Sequence, residues 1–125
     1  MMVKALVVDD SKAIRMILGR TLREAGYEVR EAANGREALA VIEAEKNSFS
    51  LVLADWNMPE MNGYELLKEL RRKPELSSLM VVMVTTETEV QHMASALEAG
   101  ANEYVMKPFT KDILLEKLEL VGVRP

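Results

Sequence analysis

The sequence predicts an α/β fold in which one parallel sheet carries helices on both faces. Short apolar runs alternate with segments of helical periodicity five times within 125 residues, and parallel neighbours need such crossover connections. The run at 51–54 is apolar throughout, which is typical of a strand buried on both faces rather than of an amphipathic helix. We therefore expect a single doubly wound domain over residues 1–125.

Each predicted strand is a short run that ends at polar residues or at a turn. The five strands are expected at 5–8, 27–31, 51–54, 80–84 and 104–106. Residues 27–31 alternate between polar and apolar side chains, which indicates a more exposed strand and suits an edge of the sheet. The continuous apolar runs at 51–54 and 80–84 favour buried positions.

Each predicted helix carries apolar residues at helical spacing between a capping residue and a stop. The five helices are expected at about 12–24, 34–46, 64–73, 88–100 and 110–120. Ser11 or Asp10 can cap the first helix, and Thr88 can cap the fourth. Pro74 ends the third helix, and residues 121–125 are expected to fray beyond the fifth.

Composition and charge exclude several classes of protein. The net charge of −4 argues against a nucleic-acid or membrane-surface protein, since both need clustered positive charge. The chain has no cysteine, which excludes disulfides and thiolate metal sites. No apolar stretch approaches the roughly 18 residues of a membrane helix, and the N-terminus lacks the pattern of a signal peptide. We expect a cytoplasmic protein whose partners are proteins or small ligands.

Polar side chains stand at the ends of four of the five predicted strands. They are Asp9 with Asp10, Asp55, Thr85 and Lys107. Because the carboxyl ends of parallel strands meet at one edge of a sheet, we expect these side chains to converge. Three carboxylates so close repel one another unless a cation lies among them. Ligands that are all oxygen favour Mg²⁺, or Mn²⁺ in its place, over zinc.

This set of groups suits a phosphoryl group. A divalent metal and Lys107 would neutralise its oxygens, the Thr85 hydroxyl would bind another oxygen, and an ionised carboxylate would act as nucleophile. Asp55 is the best candidate for the nucleophile because its strand is the most apolar. Taken alone, Asp9 and Asp10 could simply cap a helix.

In their order and spacing, Asp9-Asp10, Asp55, Thr85 and Lys107-Pro108 resemble the receiver domain of bacterial two-component response regulators, over essentially the whole chain. The resemblance implies a flavodoxin-like sheet with strand order 2-1-3-4-5. It implies a lone receiver domain without an output domain. It also implies that a phospho-histidine kinase donates a phosphoryl group to Asp55 and that Pro108 follows a cis peptide bond.

The resemblance assigns a role to each matching residue. The metal residues would be Asp9, Asp10, Asp55 and Asn57, of which Asn57 would contribute its backbone carbonyl and Asp9 would orient metal-bound water. Thr85 and Lys107 would bind phosphoryl oxygens. Thr85 and Tyr104 would form the switch that reports phosphorylation. Asn57 and Glu87 would influence how fast water removes the group.

The stretch 55–59 and the pair Asn57 and Glu87 are similar to stand-alone chemotaxis regulators. The implied partners are a chemotaxis-type sensor histidine kinase and a phosphorylation-dependent target, such as a flagellar switch protein, that binds the face formed by residues 88–120. We expect a monomer that is no enzyme beyond its own phosphotransfer and autodephosphorylation. Thr86 departs from these regulators, which usually carry a small residue there.

Three alternatives stay open at this point. The same residues permit a phosphorelay intermediate or a receiver outside chemotaxis. A small Mg²⁺-dependent phosphohydrolase would need a general acid and a substrate pocket, and the sequence offers neither clearly. A scaffold that never turns over phosphate is the third. Trp56 is expected to be a partly exposed loop residue whose fluorescence senses the metal, and His92 a surface residue of the fourth helix.

Overall fold

A computed structural model of the protein describes residues 3–86 and 92–125 and contains the five strand and helix pairs that the sequence predicts. The strands are β1 (Lys4–Val8), β2 (Glu28–Ala32), β3 (Leu51–Asp55), β4 (Met80–Thr85) and β5 (Glu103–Met106). The helices are α1 (Lys12–Glu24), α2 (Gly35–Ala44), α3 (Gly63–Arg71), α4 (Met93–Glu98) and α5 (Lys111–Leu120). A short 3₁₀ turn, Pro74–Leu76, lies between α3 and β4.

The strands form one parallel sheet in the order β2-β1-β3-β4-β5. β3 is central and buried at all of its residues, and Leu51 pairs with Ala5 on one side and with Met80 on the other. β2 lies at an edge and exposes Arg30. The predicted doubly wound fold, its strand order and the edge position of the second strand are confirmed.

Helices cover both faces of the sheet, because alternate strand residues are apolar on each side. α1 and α5 pack on one face through Leu18, Leu22, Leu114 and Leu118. α2, α3 and α4 pack on the other face, where Leu67 is fully buried. Truncating a leucine such as Leu22 or Leu67 to alanine costs about 2–5 kcal/mol in cores of this kind. The helices packed on the two faces of the sheet thus fix the positions of the strand ends relative to one another.

Local chemistry sets the start and the end of α1. The Ser11 hydroxyl accepts a hydrogen bond from the Ile14 backbone N–H at 3.3 Å, so that Ser11, rather than Asp10, is the N-cap. Gly26 follows the helix with a φ of 104°, in the left-handed region that glycine favours. The Asp10 carboxylate is therefore available to the site described below.

Several helix boundaries differ from the prediction by one or two residues. α2 ends at Ala44, before the predicted Lys46, because Lys46 and Asn47 both take a φ of 57°, which a helix cannot continue. α3 runs from Gly63 to Arg71 rather than over 64–73. The predicted cap Thr88 lies outside the described residues.

The prediction that residues 121–125 fray is wrong. Val123 is buried, and its carbonyl accepts a hydrogen bond from the Tyr27 hydroxyl at 2.9 Å. Since a buried tyrosine hydroxyl needs a partner, the tail closes that end of the core.

Among the helices of the described residues, none has the length and apolarity that crossing a membrane requires.

Candidate functional site

The ends of four strands bring the predicted site residues together. Asp55 is the last residue of β3 and Thr85 the last of β4, while Asp9 follows β1 and Lys107 follows β5. One carboxylate oxygen from each of Asp9, Asp10 and Asp55 lies within 4.8 Å of the other two. The convergence expected from the parallel sheet is therefore present in the folded chain.

The site is buried at its base and open on one side. Among the described residues, the buried polar and charged side chains are Asp9, Asp55 and Thr85, which are 1%, 6% and 0% exposed. Asp10 is exposed. Buried carboxylates cost free energy unless they are paired or bound to a cation, so that this concentration of charge indicates a binding site.

Asp9 is held at each of its polar groups. Its carboxylate accepts hydrogen bonds from the Ser11 backbone N–H at 2.9 Å and from the Lys107 ammonium at 3.4 Å. Its backbone N–H donates to the Ala32 carbonyl at 3.1 Å, and its own carbonyl accepts from the Arg15 guanidinium at 2.6 Å. The turn after β1 therefore presents its two acids in a fixed orientation.

Lys107 bridges the two buried carboxylates. Its ammonium lies 3.3 Å from Asp55 Oδ1 and 3.4 Å from Asp9 Oδ2. The Lys107 backbone N–H donates to the Thr85 carbonyl at 2.6 Å, and the peptide bond to Pro108 is cis, as the resemblance implies. Burial lowers the pKa of Lys107, but Asp55 and Asp9 more than offset this and leave it raised. The lysine is therefore a permanent cation in the site.

Burial, and after it the negative charge of Asp9, raise the pKa of Asp55 to about 6, although the nearby Lys107 ammonium opposes both effects. At pH 7 the carboxylate is mostly ionised, and it is less well solvated than a surface aspartate. Asp55 can therefore act as a nucleophile or a metal ligand at neutral pH.

The donor set fits Mg²⁺. Asp9, Asp10 and Asp55 offer carboxylate oxygens, which hard divalent cations prefer, and the exposed side at Asp10 leaves room for the waters that Mg²⁺ retains. Asn57 lies two residues after Asp55 in the exposed loop, and its role as a ligand stays a prediction. Glu87, the other residue expected to tune dephosphorylation, lies outside the described residues.

Gly63 contacts the end of β3, a contact that the sequence analysis did not predict. A Cβ atom at this position would lie 2.3 Å from the Asp55 backbone carbonyl oxygen, and the Gly63 N–H donates to the Trp56 carbonyl at 3.0 Å. Only glycine permits so close an approach of α3 to β3. The available signal was a glycine directly after the Asn62 cap, where a strong helix former is the usual choice.

Thr85 and Tyr104 lie on adjacent strands and on the same face of the sheet. Thr85 pairs with Met106 and Tyr104 with Met83 in the parallel register, and residues two apart on a strand share a face. The Thr85 hydroxyl donates to the Thr86 carbonyl at 3.3 Å. The Tyr104 ring is half-buried, with the Lys117 ammonium 5.2 Å from its centre. The two predicted switch residues are thus neighbours.

Trp56, which follows Asp55, lies in a stack of three rings. Its ring centre is 5.5 Å from that of Tyr64 and 5.6 Å from that of His92, with an interplanar angle of 13° in both pairs. The predicted partial exposure of Trp56 and the surface position of His92 are confirmed. The stack itself was not predicted. It connects the loop after Asp55 to the start of α4.

Comparisons with known proteins agree with this geometry. The family model of the response regulator receiver domain matches residues 5–119. Chemotaxis protein CheY1 of Helicobacter pylori is 44% identical over 119 residues, which cover 94% of this chain and 95% of that protein. The CheY homolog of Campylobacter jejuni is 44% identical over 117 residues, covering 93% and 89%. The structure of chemotaxis response regulator CheY4 of Vibrio cholerae is similar with a TM-score of 0.87 and 41% identity, covering 97% and 99%.

Proposed function

This chain belongs to the response regulator receiver domain family, and we propose that it is a phosphorylation-controlled signalling module of the chemotaxis type in which Asp55 is the phospho-acceptor. One observation supports the acceptor most strongly. Asp55 is a buried carboxylate at the end of the central strand, with Asp9 and Asp10 on one side and the Lys107 ammonium 3.3 Å away. The same contacts suit a residue that gains a phosphoryl group.

The proposed reaction transfers a phosphoryl group from a phosphohistidine of a sensor kinase. A carboxylate oxygen of Asp55 forms the new bond to phosphorus while the bond between phosphorus and the imidazole nitrogen breaks. The electron pair of that bond stays on the imidazole. A pKa of about 6 leaves Asp55 mostly ionised at pH 7, so that it can attack without a general base.

The acidic residues would hold Mg²⁺, with Mn²⁺ as a substitute. Asp10, Asp55 and the backbone carbonyl of Asn57 would bind the ion directly, and Asp9 would orient its water. When bound, the ion neutralises charge on the transferring group. Lys107 would pair with a phosphoryl oxygen, since its ammonium already lies between the two buried carboxylates.

Phosphorylation would alter the face formed by α4, β5 and α5. Thr85 would bind a phosphoryl oxygen, and Tyr104, its neighbour on the same face of the sheet, would change position. Leu97, Met106 and Ile113, which lie on those three elements, are exposed although they are apolar. A partner that binds this face would bury these side chains.

We propose a phosphorylation-dependent partner for this face, such as a flagellar switch protein, and a chemotaxis-type histidine kinase as the donor. The protein would act in the cytoplasm as a monomer. Its own chemistry would be limited to taking up the phosphoryl group and losing it to water. Asn57 and Glu87 would set the rate of that loss, and the bulk of Thr86 would limit access to the group.

The test of the acceptor is labelling by acetyl phosphate in the presence of Mg²⁺, followed by mass spectrometry of the intact chain. We expect the wild type to gain one phosphoryl group and Asp55→Asn to gain none. Asp112→Asn, which changes an exposed aspartate of α5, is the matched control and should be labelled like the wild type. Stoichiometric labelling of Asp55→Asn would contradict the assignment.

A further inference from the structure

Arg15 reaches from α1 to the turn that carries the two acids. Its Nη1 donates to the Asp9 backbone carbonyl at 2.6 Å, and its Nε donates to Glu31 Oε1 at 3.3 Å. The side chain is only 16% exposed. One guanidinium therefore connects the turn after β1 to the end of the neighbouring strand β2.

Glu31 holds the guanidinium in place on the other side. It belongs to β2, and its second carboxylate oxygen lies 3.9 Å from Nη2 of Arg23, just over two helical turns beyond Arg15 along α1. The Asp9 backbone N–H also bonds to β2, at the Ala32 carbonyl. The peptide groups on both sides of Asp9 are therefore attached to β2, directly through the N–H and through Arg15 at the carbonyl.

A cation beside a cation site requires an explanation. By its charge alone, Arg15 repels a divalent ion bound to Asp9 and Asp10, so that it should weaken the site. Its contact, however, is with the peptide carbonyl that joins Asp9 to Asp10, and not with either carboxylate. The bond fixes the peptide plane between the two acids, and with it the direction in which each side chain leaves the backbone.

We propose that Arg15 is a positioning residue of the metal site: it fixes the peptide between Asp9 and Asp10 so that both carboxylates face Asp55, and Glu31 orients its guanidinium. This inference rests on the proposed Mg²⁺ site and adds residues that do not contact the ion. The planar fork of arginine reaches both partners at once, which the single ammonium of lysine cannot do.

The test is the dissociation constant for Mg²⁺, measured by calorimetry so that it does not depend on catalysis or on Trp56. We expect Arg15→Met and Arg15→Lys each to weaken binding by about tenfold or more, as loss of a residue that orients metal ligands does elsewhere. Glu31→Gln should weaken it by a smaller factor. Arg20→Met removes the same charge from an exposed position of α1 and should leave the constant within about twofold of the wild type.

The direction in which the Mg²⁺ affinity of Arg15→Met changes distinguishes a positioning role of Arg15 from simple charge repulsion. Binding to Arg15→Met that is as tight as to the wild type, or tighter, would overturn the proposal, because that is the result of removing a repelling charge. Wild-type affinity for Mg²⁺ in Arg15→Lys would overturn it as well, since a positive charge at this position would then be enough to maintain the affinity. Circular dichroism checks that each variant is folded at the temperature used. If Arg15→Met is unfolded, the more conservative variants Arg15→Lys and Glu31→Gln provide the test. A wild type that binds no Mg²⁺ would instead overturn the proposed function, together with this inference.

Discussion

The two sides of Asp55 are built differently. On the proposed metal side, formed by Asp9, Asp10 and the start of α1, the polar groups of Asp9 all bond to neighbouring residues. On the proposed signalling side, formed by Thr85, Tyr104, α4 and α5, the Tyr104 ring is half-buried, with the Lys117 ammonium 5.2 Å from its centre. The first side therefore holds its proposed ligands in a fixed orientation, whereas the second contains Tyr104, whose partly exposed ring has room to change position. We infer that the acceptor transmits a change in charge from a rigid region to an adaptable one.

The largest expected effect is on the free energy of unfolding of Asp55→Asn. An acid whose pKa is about 6 in the folded state and 3.8 when unfolded destabilises the protein once it is ionised. The folded state binds more protons between about pH 4 and 6, so that stability falls as pH rises through this window. Without metal, Asp55→Asn should therefore be more stable than the wild type at pH 7.5 by up to about 3 kcal/mol.

Urea denaturation at two pH values measures this effect. At pH 4 or below, where Asp55 is protonated in the folded state, the gain should largely disappear. Glu116→Gln, which changes an exposed acid in the middle of α5, should alter stability by less than about 0.5 kcal/mol at both pH values. An equal gain for Asp55→Asn at both pH values would show that charge on Asp55 does not destabilise the folded chain.

The second effect concerns the metal side alone. Asp10→Asn should weaken Mg²⁺ binding by about 10–100-fold, since it removes one of three carboxylates from the site. Because Asp10 is exposed, stability without metal should stay within about 0.5 kcal/mol of the wild type. Calorimetric titration checks the affinity, with Asp112→Asn as control. Unchanged affinity in Asp10→Asn would remove it from the metal ligands.

The third effect concerns the signalling side alone. Thr85→Val removes the hydroxyl while keeping the branched shape of a buried residue. We expect phosphoryl labelling by acetyl phosphate to persist, and the response of Tyr104 to weaken, because a hydrogen bond to a charged group contributes about 1.5 kcal/mol or more to the shifted state. NMR signals of the Tyr104 ring with and without beryllofluoride and Mg²⁺ measure the response. A wild-type response in Thr85→Val would separate Thr85 from the switch.

The smallest effect concerns the aromatic stack that connects the loop after Asp55 to the start of α4. His92→Ala should move the Trp56 emission to longer wavelength, because removing one of the two stacked rings exposes the indole. The loss of stability should be at most about 1 kcal/mol, as expected for one aromatic pair. His92→Phe keeps a ring in place and should retain the wild-type spectrum. Identical spectra for all three proteins would mean that His92 does not cover Trp56.

The sequence predicts the site better than it predicts the contacts that support the site. Asp9, Asp55, Thr85 and Lys107 could be placed together because parallel topology brings the ends of distant strands to one edge. The contacts of Arg15, Gly63 and His92 could not be predicted in this way. Each depends on how one helix or loop approaches another residue, and neither periodicity nor spacing records that approach.

The same distinction explains the errors in helix and chain ends. Strand and helix cores follow from the apolar pattern, and the pattern is strong here. The end of α2 was decided by positive φ values at Lys46 and Asn47, neither of which is a glycine. The order of the C-terminal tail depended on a hydrogen bond from Tyr27 to the Val123 carbonyl, 96 residues away. The second is a tertiary effect that local sequence does not encode.

The most direct test of the central claim is hydrogen exchange of the wild type in three states: free, with Mg²⁺, and with Mg²⁺ and beryllofluoride, which imitates the phosphoryl group on Asp55. We predict that Mg²⁺ alone slows exchange around Asp9 and Asp55, and that adding beryllofluoride changes exchange over residues 103–120. Asp55→Asn should show no change on adding beryllofluoride. Changes confined to the metal side in the wild type would contradict the claim that Asp55 controls the signalling side.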